Sequence, residues 1–418
     1  MNSVDAVLAR KIAGLDTPLA VVLPGGRRIG AEPARITLTL KDLAPLMHIA
    51  AGQVGRVARD HVEGRVDFDG SVRDLMDVAV QLVEGNPAHV DAGPGPLGWW
   101  REIVRRGRSR ARHSSALDAR QVQFHYDVSD DFYALWLDPR RVYSCAYFRD
   151  PEMSLASAQE AKLDHICRKL MLREGERFLD VGAGWGGLLL WAAEKYGVRG
   201  HGITLSVNQH AHVRRLIDER GLAGKVTIEL CDYRDVPEHE PYDKIASVGM
   251  FEHVGLAQLP RYFAKLQRLI APGGLLMNHG ITAGGTRNRG LGAGLGDFIG
   301  RYIFPGGELL HLSHVLKVMA EAGLEAVDVE NLRPHYARTL WAWSDALEAR
   351  LARAREITRE TVVRAYRLYL AGSAMCFEQG WISLHQMLAS RPSGDPRSGA
   401  LRGAQSAYPF NRGYMYRS

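Results

Sequence analysis

The pattern of apolar and polar positions divides the chain into two folded regions. In the first, residues 17–23 and 34–40 are apolar or alternate, as strands do, around a Pro-Gly-Gly turn. Asp42 is placed to cap a helix that runs to about Ala58, and residues 64–68 form another short strand. Ser71 is placed to cap a second helix. This pattern predicts a small α+β domain over residues 1–90.

A second region extends from residue 117 to residue 389, where short apolar segments alternate with helical ones. This alternation predicts an α/β domain with a mostly parallel sheet wrapped by helices. Residues 340–388 are predicted to be mostly helical, and residues 390–418 to form a flexible basic tail. The predicted strands are 177–181, 198–204, 226–231, 244–248 and 275–279.

The segment between the two regions, residues 91–116, reads as a basic linker because prolines and glycines interrupt it. Trp99 and Trp100 precede a stretch dense in arginine, Arg101 to Arg112. Aromatic rings beside cations are typical of an anchor at an anionic membrane surface. A solvated interdomain linker is the alternative interpretation.

Composition narrows the class of protein. With 418 residues, 46% of them hydrophobic, and a net charge of +6, the chain has globular composition and room for two domains. Its four cysteines are scattered, which predicts neither disulfides nor a metal site and favours a reducing, cytoplasmic location. The cationic residues are 44 Arg and 9 Lys, which reflects either genome composition or an anionic partner.

The most informative stretch is Phe178-Leu-Asp-Val-Gly-Ala-Gly-Trp-Gly-Gly187, where a predicted strand meets a predicted helix. Gly182, Gly184 and Gly186 allow a sharp turn and close approach of a ligand. Asp180, two positions before the first glycine, suits a ligand with an amino group, so the loop predicts a site for S-adenosylmethionine. A tight strand-to-helix turn without a ligand is the alternative.

The next two strands supply further candidates for contacts with this cofactor. Thr204 and Gln209 follow the second strand and can hydrogen-bond a ribose. Asp232 and Tyr233 follow the third, where the carboxylate can accept from an adenine amino group and the ring can stack on the base. Each is also consistent with an ordinary loop residue.

Several strings of residues, in this order, resemble the cyclopropane-fatty-acid synthase family, which includes the cyclopropane mycolic acid synthases. The resemblance covers about residues 121–390 and implies a class I (Rossmann-like) methyltransferase domain. The N-terminal domain resembles, more weakly, the lipid-binding domain of the phospholipid-acting members. The matching strings are His125-Tyr-Asp127, Tyr143-Ser-Cys-Ala-Tyr147, Leu179 to Gly187, Thr204-Leu-Ser206 with Gln209, Asp232-Tyr-Arg-Asp235, Gly249-Met-Phe-Glu-His253 and Arg301-Tyr-Ile-Phe-Pro305.

The resemblance implies a reaction in which S-adenosylmethionine methylates a cis double bond of an acyl chain. The carbocation then loses a proton to a bound bicarbonate, and a cyclopropane ring closes. The site must exclude water, and aromatic faces such as those of Phe251, Tyr302, Phe304 and Trp341 can stabilise the cation. Carried over by position, the bicarbonate holders are Cys145, Glu252, His279 and Tyr302. Tyr143 and Ser144 join Gly182, Gly184, Thr204, Gln209, Asp232 and Tyr233 as cofactor contacts.

This chain departs from the family pattern at two places. Asn278 and Gly280 flank His279 where many members have a more apolar LLHTI string. Ser373 stands where the phospholipid enzymes have a cysteine, with Cys376 about one turn later. A third feature, the stretch 283–296 with six glycines, predicts a lid or membrane-facing loop, or else a surface insertion.

The expected substrate is an unsaturated phospholipid acyl chain at an anionic membrane. The enzyme is expected to be cytoplasmic and peripherally bound to that membrane. A homodimer is a candidate assembly. Acyl methylation without ring closure is the alternative that shares most of these motifs. A non-catalytic lipid-binding protein and a methyltransferase of small molecules or nucleic acids are the other classes. The basic pI of about 9.1 permits the last, but no RNA-binding motif is present and no nucleic-acid partner is expected.

Overall fold

A computed structural model describes residues 3–83, 85–88, 130–392 and 411–416. The linker 91–116, with its tryptophan pair and arginine cluster, lies outside the described residues. The motif at residues 125–127 lies outside them as well. Among the described residues, no helix is long and apolar enough to cross a bilayer.

The small domain is a four-stranded sheet covered by helices, with strand order β2-β1-β3-β4. Strands β1 and β3 are parallel, and β2 and β4 pair antiparallel at the two edges. Its elements are α1 (Ser3–Ala13), β1 (Leu19–Val22), β2 (Arg28–Gly30), β3 (Ile36–Leu40), α2 (Ala44–Ala50), α3 (Val54–Val62), β4 (Val66–Asp69) and α4 (Val72–Leu82).

Two helix starts in this domain test the predicted caps. Ser71 accepts a hydrogen bond from the Asp74 N–H at 3.0 Å, so the predicted cap of α4 is confirmed. Asp42 accepts from the Ala44 N–H at 2.8 Å, but the N-cap of α2 is Leu43, one residue after the predicted cap. The prediction of one helix from Asp42 to Ala58 is wrong, because the chain turns at Gly52, in the left-handed region at φ +63°, and starts again as α3.

The second domain contains a seven-stranded sheet in the order β10-β11-β9-β8-β5-β6-β7. All neighbours from β9 to β7 pair in parallel, and β11 is antiparallel to both of its neighbours. The strands are β5 (Arg177–Val181), β6 (Arg199–Thr204), β7 (Val226–Leu230), β8 (Tyr242–Val248), β9 (Ile270–Ala283), β10 (Glu325–Asn331) and β11 (Ile382–Ser390).

Helices lie against both faces of this sheet and fill the connections between its strands. The predicted mostly parallel α/β sheet is therefore confirmed, and five of its strands lie where the sequence placed them. The helices of this domain are α5 (Asp130–Ala134), α6 (Leu155–Lys169), α7 (Gly187–Tyr196), α8 (Val207–Glu219), α9 (Phe251–Val254), α10 (Leu259–Leu269), α11 (Leu295–Tyr302), α12 (Leu312–Glu321), α13 (Arg333–Glu348), α14 (Leu351–Ile357), α15 (Glu360–Glu378) and α16 (Gly413–Tyr416).

The C-terminal part of the chain differs from prediction in two respects. The helical stretch ends at Glu378, and residues 382–390 form β11, a strand that is buried at every position except Ser383. In the expected flexible tail, residues 411–416 end in α16, where Met415 is buried and its carbonyl lies 3.2 Å from the His165 ring. This part of the tail is therefore held against α6.

The two domains pack through α3 and α4, which lie on α15 and bring Val62, Val72 and Met76 into one apolar cluster with it. Ion pairs surround this cluster. Arg364 lies 2.7 Å from Asp67, and Arg73 lies 2.6 Å from Asp345. The small domain therefore covers one side of the larger one at the carboxyl ends of the parallel strands, where α/β domains form their sites.

Candidate active site

The glycine loop joins the end of β5 to the start of α7. Gly182, Gly184 and Gly186 all have φ in the left-handed region, at +77°, +54° and +82°, which explains why the loop needs glycine at these positions. A Cβ on Gly184 would meet nothing within 4 Å, because this residue faces a cavity. A Cβ on Gly186 would lie 2.9 Å from the Val213 side chain. Gly186 therefore allows α8 to pack against the loop, and it is not among the residues that line the cavity.

The cavity beside the loop has a volume of about 710 Å³ and brings together most of the predicted site residues. They come from five separate segments of the chain: the loop 143–145, β5 with the glycine loop, α8, α9 and β9. The predicted residues that line it are Tyr143, Ser144, Cys145, Asp180, Gly182, Gly184, Gln209, Glu252 and His279.

A smaller pocket of about 90 Å³ continues from the cavity past Gly182, Gly184 and Gln209. It is lined by Thr204, Asp232 and Tyr233, the residues predicted to contact ribose and adenine. Because the two spaces share the glycine loop, an elongated ligand can lie across it with one end in each.

Three residues of this smaller pocket already have partners within the protein. The Thr204 hydroxyl donates to Gln209 Oε1 at 2.8 Å. The Asp232 carboxylate accepts from Arg234 at 2.8 and 2.6 Å. The Tyr233 ring is buried edge-on against Tyr262. A base bound here would therefore meet an arginine-paired carboxylate and a fixed ring.

Glu252 lies on α9, just after β8, with its carboxylate buried in the cavity wall. Oε1 accepts from the Ile281 N–H at 2.6 Å, and Oε2 has no hydrogen-bond partner among the described residues. Burial raises the pKa of this carboxyl to about 7. A Cβ on Gly280 would lie 2.7 Å from Oε1 and closer still to Phe251. The glycine at position 280, where this chain departs from the family pattern, therefore leaves room for the Glu252 carboxylate.

His279 lies on β9 with its ring buried in the same cavity. Neither ring nitrogen has a hydrogen-bond partner among the described residues. Burial, together with the nearby Lys162 and Lys169, lowers the pKa of this ring well below its usual value. His279 is therefore a neutral imidazole that offers one donor and one acceptor to a ligand.

Cys145 is fully buried at the start of the same cavity wall. Its thiol donates to the Ala146 carbonyl at 3.1 Å, and burial raises its pKa far above the usual value. The sulfur therefore stays protonated, and nucleophilic or thiolate chemistry is not favoured there.

Tyr302 is the predicted catalytic residue that the structure does not bring to this group. It ends α11 at the domain boundary, and its hydroxyl donates to Glu63 of the small domain at 3.0 Å. Tyr336, in the first turns of α13, lines the cavity, as do Tyr143 and Tyr369. The sequence analysis began this helix near Leu340, yet Tyr336, Leu340 and Trp343 share its buried face. The helical spacing of these three residues would have predicted that Tyr336 lies on the buried face of the helix.

Of the aromatic residues proposed to stabilise a cation, Phe304 lines the cavity. Trp341 lies outside it, where its indole N–H donates to Glu378 at 2.8 Å and Arg73 covers its face. A cation that was not predicted, Lys162 of α6, also lines the cavity and donates to the Ser144 hydroxyl at 2.8 Å.

The other end of the cavity is apolar and extends beneath the small domain. This part of the cavity is lined by side chains of α11 and by Ser373 and Cys376 of α15. The last two are the residues at which this chain departs from the phospholipid enzymes. This end therefore has walls from both domains. The apolar residues that line it are Val54, Ala58, Met76 and Ala79 of the small domain, with Leu295, Phe298, Ile299 and Leu368 of the larger one.

The glycine-rich stretch 283–296 lies between the two domains. The Ala293 carbonyl accepts from the Gly55 N–H at 2.9 Å, and the Gly292 N–H donates to the Pro87 carbonyl at 3.0 Å. A Cβ on Gly55 would overlap the backbone of Gly294, so both sides of this contact need glycine. The stretch therefore forms a backbone contact that joins the domains beside the apolar end of the cavity.

This fold and this site are those of a class I methyltransferase dependent on S-adenosylmethionine. The family model described as Mycolic acid cyclopropane synthetase matches residues 113–387. The chain belongs to this family. It is 42% identical to a probable fatty acid methyltransferase of Pseudomonas putida over 416 residues, which is 99% of this chain and 100% of that protein. It is 39% identical to cyclopropane mycolic acid synthase 1 of Mycobacterium tuberculosis (strain ATCC 25618 / H37Rv) over 278 residues, which is 65% of this chain and 96% of that one.

Solved structures agree with this assignment. Mycolic acid cyclopropane synthase CmaA1 complexed with SAH and CTAB is 38% identical, covers 65% of this chain and 98% of its own, and has a TM-score of 0.62. Coclaurine N-methyltransferase has the same TM-score at 21% identity, which reflects the shared fold. Both structures contain SAH.

The residues of this chain fit such a ligand. Gly184 leaves open space beside the backbone, and Gln209 Nε2 is a buried donor with no hydrogen-bond partner among the described residues. Asp180 is buried at the same edge.

Proposed function

We propose that the chain transfers a methylene group from S-adenosylmethionine to the cis double bond of an unsaturated phospholipid acyl chain, forming a cyclopropane fatty acid. The observation that supports this most directly is the division of the cavity. A polar end with the glycine loop, Glu252 and His279 opens into an apolar end that has no charged lining among the small-domain residues. An acyl chain suits the second end, and the cofactor suits the first.

S-adenosylmethionine supplies an electrophilic methyl group, which the π electrons of the alkene attack as the carbon–sulfur bond breaks. The alkene becomes a carbocation one carbon away from the new methyl. Loss of a proton from that methyl lets its C–H electrons close the ring, and the proton passes to a base. A closed apolar site protects the cation from water, and the rings of Phe304 and Tyr369 in the cavity wall can stabilise it.

We propose a bound bicarbonate as that base. Support comes from two unpartnered groups that face the cavity, His279 and Glu252 Oε2. A neutral imidazole can donate to the anion, and an ionised Glu252 can accept its O–H, which leaves an oxygen directed at the methyl group. Tyr336 stands at this wall where Tyr302 was expected.

Methylation without ring closure is the second candidate. It is favoured by the relative that matches over the full length, since that protein is described as a probable fatty acid methyltransferase, whereas the cyclopropane synthases match 65% of this chain. In this reaction the proton leaves a neighbouring carbon, so that an alkene remains. The geometry around Gly280 and Ser373 is where the two outcomes would be decided.

Mass spectrometry of total lipids, after expression in a host that lacks such an enzyme, tests both candidates. Acyl chains that gain one CH₂ and no longer react with ozone contain a ring. Chains that gain the same mass and still cleave with ozone have been methylated only. Lipids without any added CH₂, while the purified protein still converts S-adenosylmethionine with another acceptor, would contradict an acyl substrate.

We also propose that the substrate is reached at an anionic membrane surface, with Trp99, Trp100 and the arginine cluster as the anchor. Binding to anionic vesicles should weaken as salt rises past about 0.1 M, where the screening length is roughly 10 Å. Equal binding to neutral and anionic vesicles, independent of salt, would exclude this anchor.

A further inference from the structure

Helix α6 buries two lysines that have different surroundings. Lys169 is fully buried, and its ammonium lies 2.5 Å from Glu330 and 3.4 Å from Asp328. Lys162, two turns earlier, is 2% exposed. Among the described residues its one hydrogen-bond partner is the neutral hydroxyl of Ser144, and no carboxylate lies within 4.0 Å of it. Lys169 is a paired structural charge, whereas Lys162 is a buried cation without a counter-ion.

An unpaired ammonium is costly to bury, and few lysines are found in such places without a partner. Burial lowers the pKa of Lys162 to about 8, and nearby Asp180, Asp138 and Cys145 oppose that shift. The ammonium has three N–H donors, and Ser144 accepts one of them. Because Lys162 also lines the cavity, its remaining donors are available to a bound anion.

The position of Lys162 narrows the class of anion. It lies at the polar end, between the loop 143–145 and Asp180. Arg141 also lines the cavity, but it is half-exposed, near Asp130 at 3.7 Å and over the Trp185 ring. A carboxylate and an ammonium at one cavity wall match the two charges of an amino-acid group. A small bicarbonate anion near His279 would be attracted by the same ammonium.

We propose that Lys162 is an anion-binding residue of this site and takes a small carboxylate-type oxyanion. Because Asp180 lies at the same wall, the favoured anion is the methionine carboxylate of S-adenosylmethionine. Bicarbonate is the other anion with the same chemistry. If the anion is bicarbonate, this proposal rests on the proposed function. If it is the carboxylate of the cofactor, the proposal rests on the family and the fold alone.

The test uses the full-length chain with Lys162→Met, which keeps an unbranched side chain and removes the charge. Lys195→Met, on the exposed side of α7, is the matched control. Calorimetry compares S-adenosylhomocysteine with 5′-methylthioadenosine, which shares the nucleoside and lacks the amino-acid group. A lost charge-assisted hydrogen bond should weaken S-adenosylhomocysteine binding by about ten- to a hundredfold and leave methylthioadenosine unchanged.

The second measurement is the bicarbonate concentration that gives half-maximal activity. If S-adenosylhomocysteine binding is unchanged and this concentration rises at least about tenfold, bicarbonate is the anion that Lys162 binds. Equal losses for both nucleosides, or no change in either measurement, would overturn the proposal. Calorimetry needs no acyl substrate, so it remains informative if no lipid product is found and the proposed function fails.

Thermal unfolding keeps this test interpretable. Lys162→Met should unfold no more easily than wild type, because it removes a buried charge that has no counter-ion. Lys169→Met should unfold at a clearly lower temperature, because it removes the buried ammonium that Glu330 and Asp328 share. A Lys162→Met chain as unstable as Lys169→Met would make Lys162 a structural residue and contradict the proposal.

Discussion

The two ends of the cavity are built differently. At the polar end, Asp180, Glu252 and His279 stand on or directly after strands of one sheet, so the hydrogen bonds of the sheet fix their spacing. At the apolar end, helices of two domains meet, and ion pairs such as Arg73 with Asp345 surround the contact. Exposed pairs of this kind contribute about 0–1 kcal/mol each. Under the proposed function, the reaction therefore takes place at the rigid end, and the end that the two domains share selects the acyl chain.

This contrast predicts how each end responds to substitution. A change at the polar end should abolish binding or turnover and leave the choice of acyl chain unaffected. A change at the apolar end should alter which chain is used and leave cofactor binding intact.

The largest effect is expected for Gly184→Val, at the polar end. A branched side chain is strained at φ +54°, and its methyl groups would occupy the space where the cofactor passes the backbone. We expect S-adenosylmethionine affinity to fall more than about a hundredfold by calorimetry, from strain and overlap of a few kcal/mol. The circular dichroism spectrum should stay near that of the wild type. Unchanged affinity would remove the loop from the site.

Glu252→Gln should have the next largest effect. It removes the carboxylate that we propose as acceptor of the bicarbonate O–H, a charged hydrogen bond worth about 1.5–3 kcal/mol, so kcat should fall about ten- to a hundredfold. Cofactor affinity should persist, and stripping carbon dioxide from the buffer should slow the wild type more than the variant. Turnover near that of the wild type would exclude Glu252 from catalysis.

The same variant gives a pH test. Burial raises the pKa of Glu252 to about 7, so its carboxylate is lost as the pH falls through that value, and wild-type kcat should fall with it. The Gln variant should lose this acid limb. Burial also raises the pKa of Asp180 to about 7, so an acid limb in kcat/KM for S-adenosylmethionine should remain in the variant. If Glu252→Gln leaves the acid limb of kcat unchanged, that limb belongs to the titration of another group.

Ala79→Phe tests the apolar end. Ala79 of α4 faces the cavity, and a phenyl ring there fills space that two or three methylenes of an acyl chain would use. At about 0.8 kcal/mol per buried CH₂, the preference between long and short chains should shift by about tenfold or more. S-adenosylhomocysteine affinity should not change, and Ala51→Phe, at an exposed turn, is the control. An unchanged product profile would mean that the acyl chain lies elsewhere.

The polar end was largely predictable from the sequence, for a physical reason. Strand ends followed by glycines or by chemically active side chains are local features, so Asp180, Gly184 and Glu252 stand out within a few residues of chain. The parallel sheet then brings such strand ends to one edge. Gly186 shows the limit, because only the position of Val213 on α8 reveals that this glycine serves packing.

The apolar end and Lys162 depend on contacts between segments far apart in sequence. No local pattern shows that α4 lies on α15, or that the Ala293 carbonyl meets the Gly55 N–H. Lys162 resembles any charged position of an amphipathic helix until the loop 143–145 and Asp180 cover it. Tyr302 and Tyr336 are both tyrosines beside apolar residues, and tertiary structure alone decides which one meets the cavity.

The smallest effect is expected for Tyr302→Phe, which tests this distinction directly. Its hydroxyl donates to Glu63 across the domain boundary at 3.0 Å, outside the cavity. Losing a half-exposed hydrogen bond should lower the free energy of unfolding by about 0.5–1.5 kcal/mol and leave kcat within about threefold of wild type. Glu63→Gln should lower the free energy of unfolding at least as much, since it weakens the same contact and also removes the ion pairs of Glu63 with Arg65 and Arg301.

Tyr336→Phe provides the comparison, because Tyr336 lines the cavity that Glu252 and His279 also line. We expect about a tenfold loss of kcat, the effect of one hydrogen bond made in the reacting complex, with normal S-adenosylhomocysteine binding. If Tyr302→Phe proves the more damaging of the two in kcat, the small domain must move during turnover and carry Tyr302 from Glu63 into the site. In that case the apolar end would take part in the chemistry, and the division between the two ends of the cavity would fail.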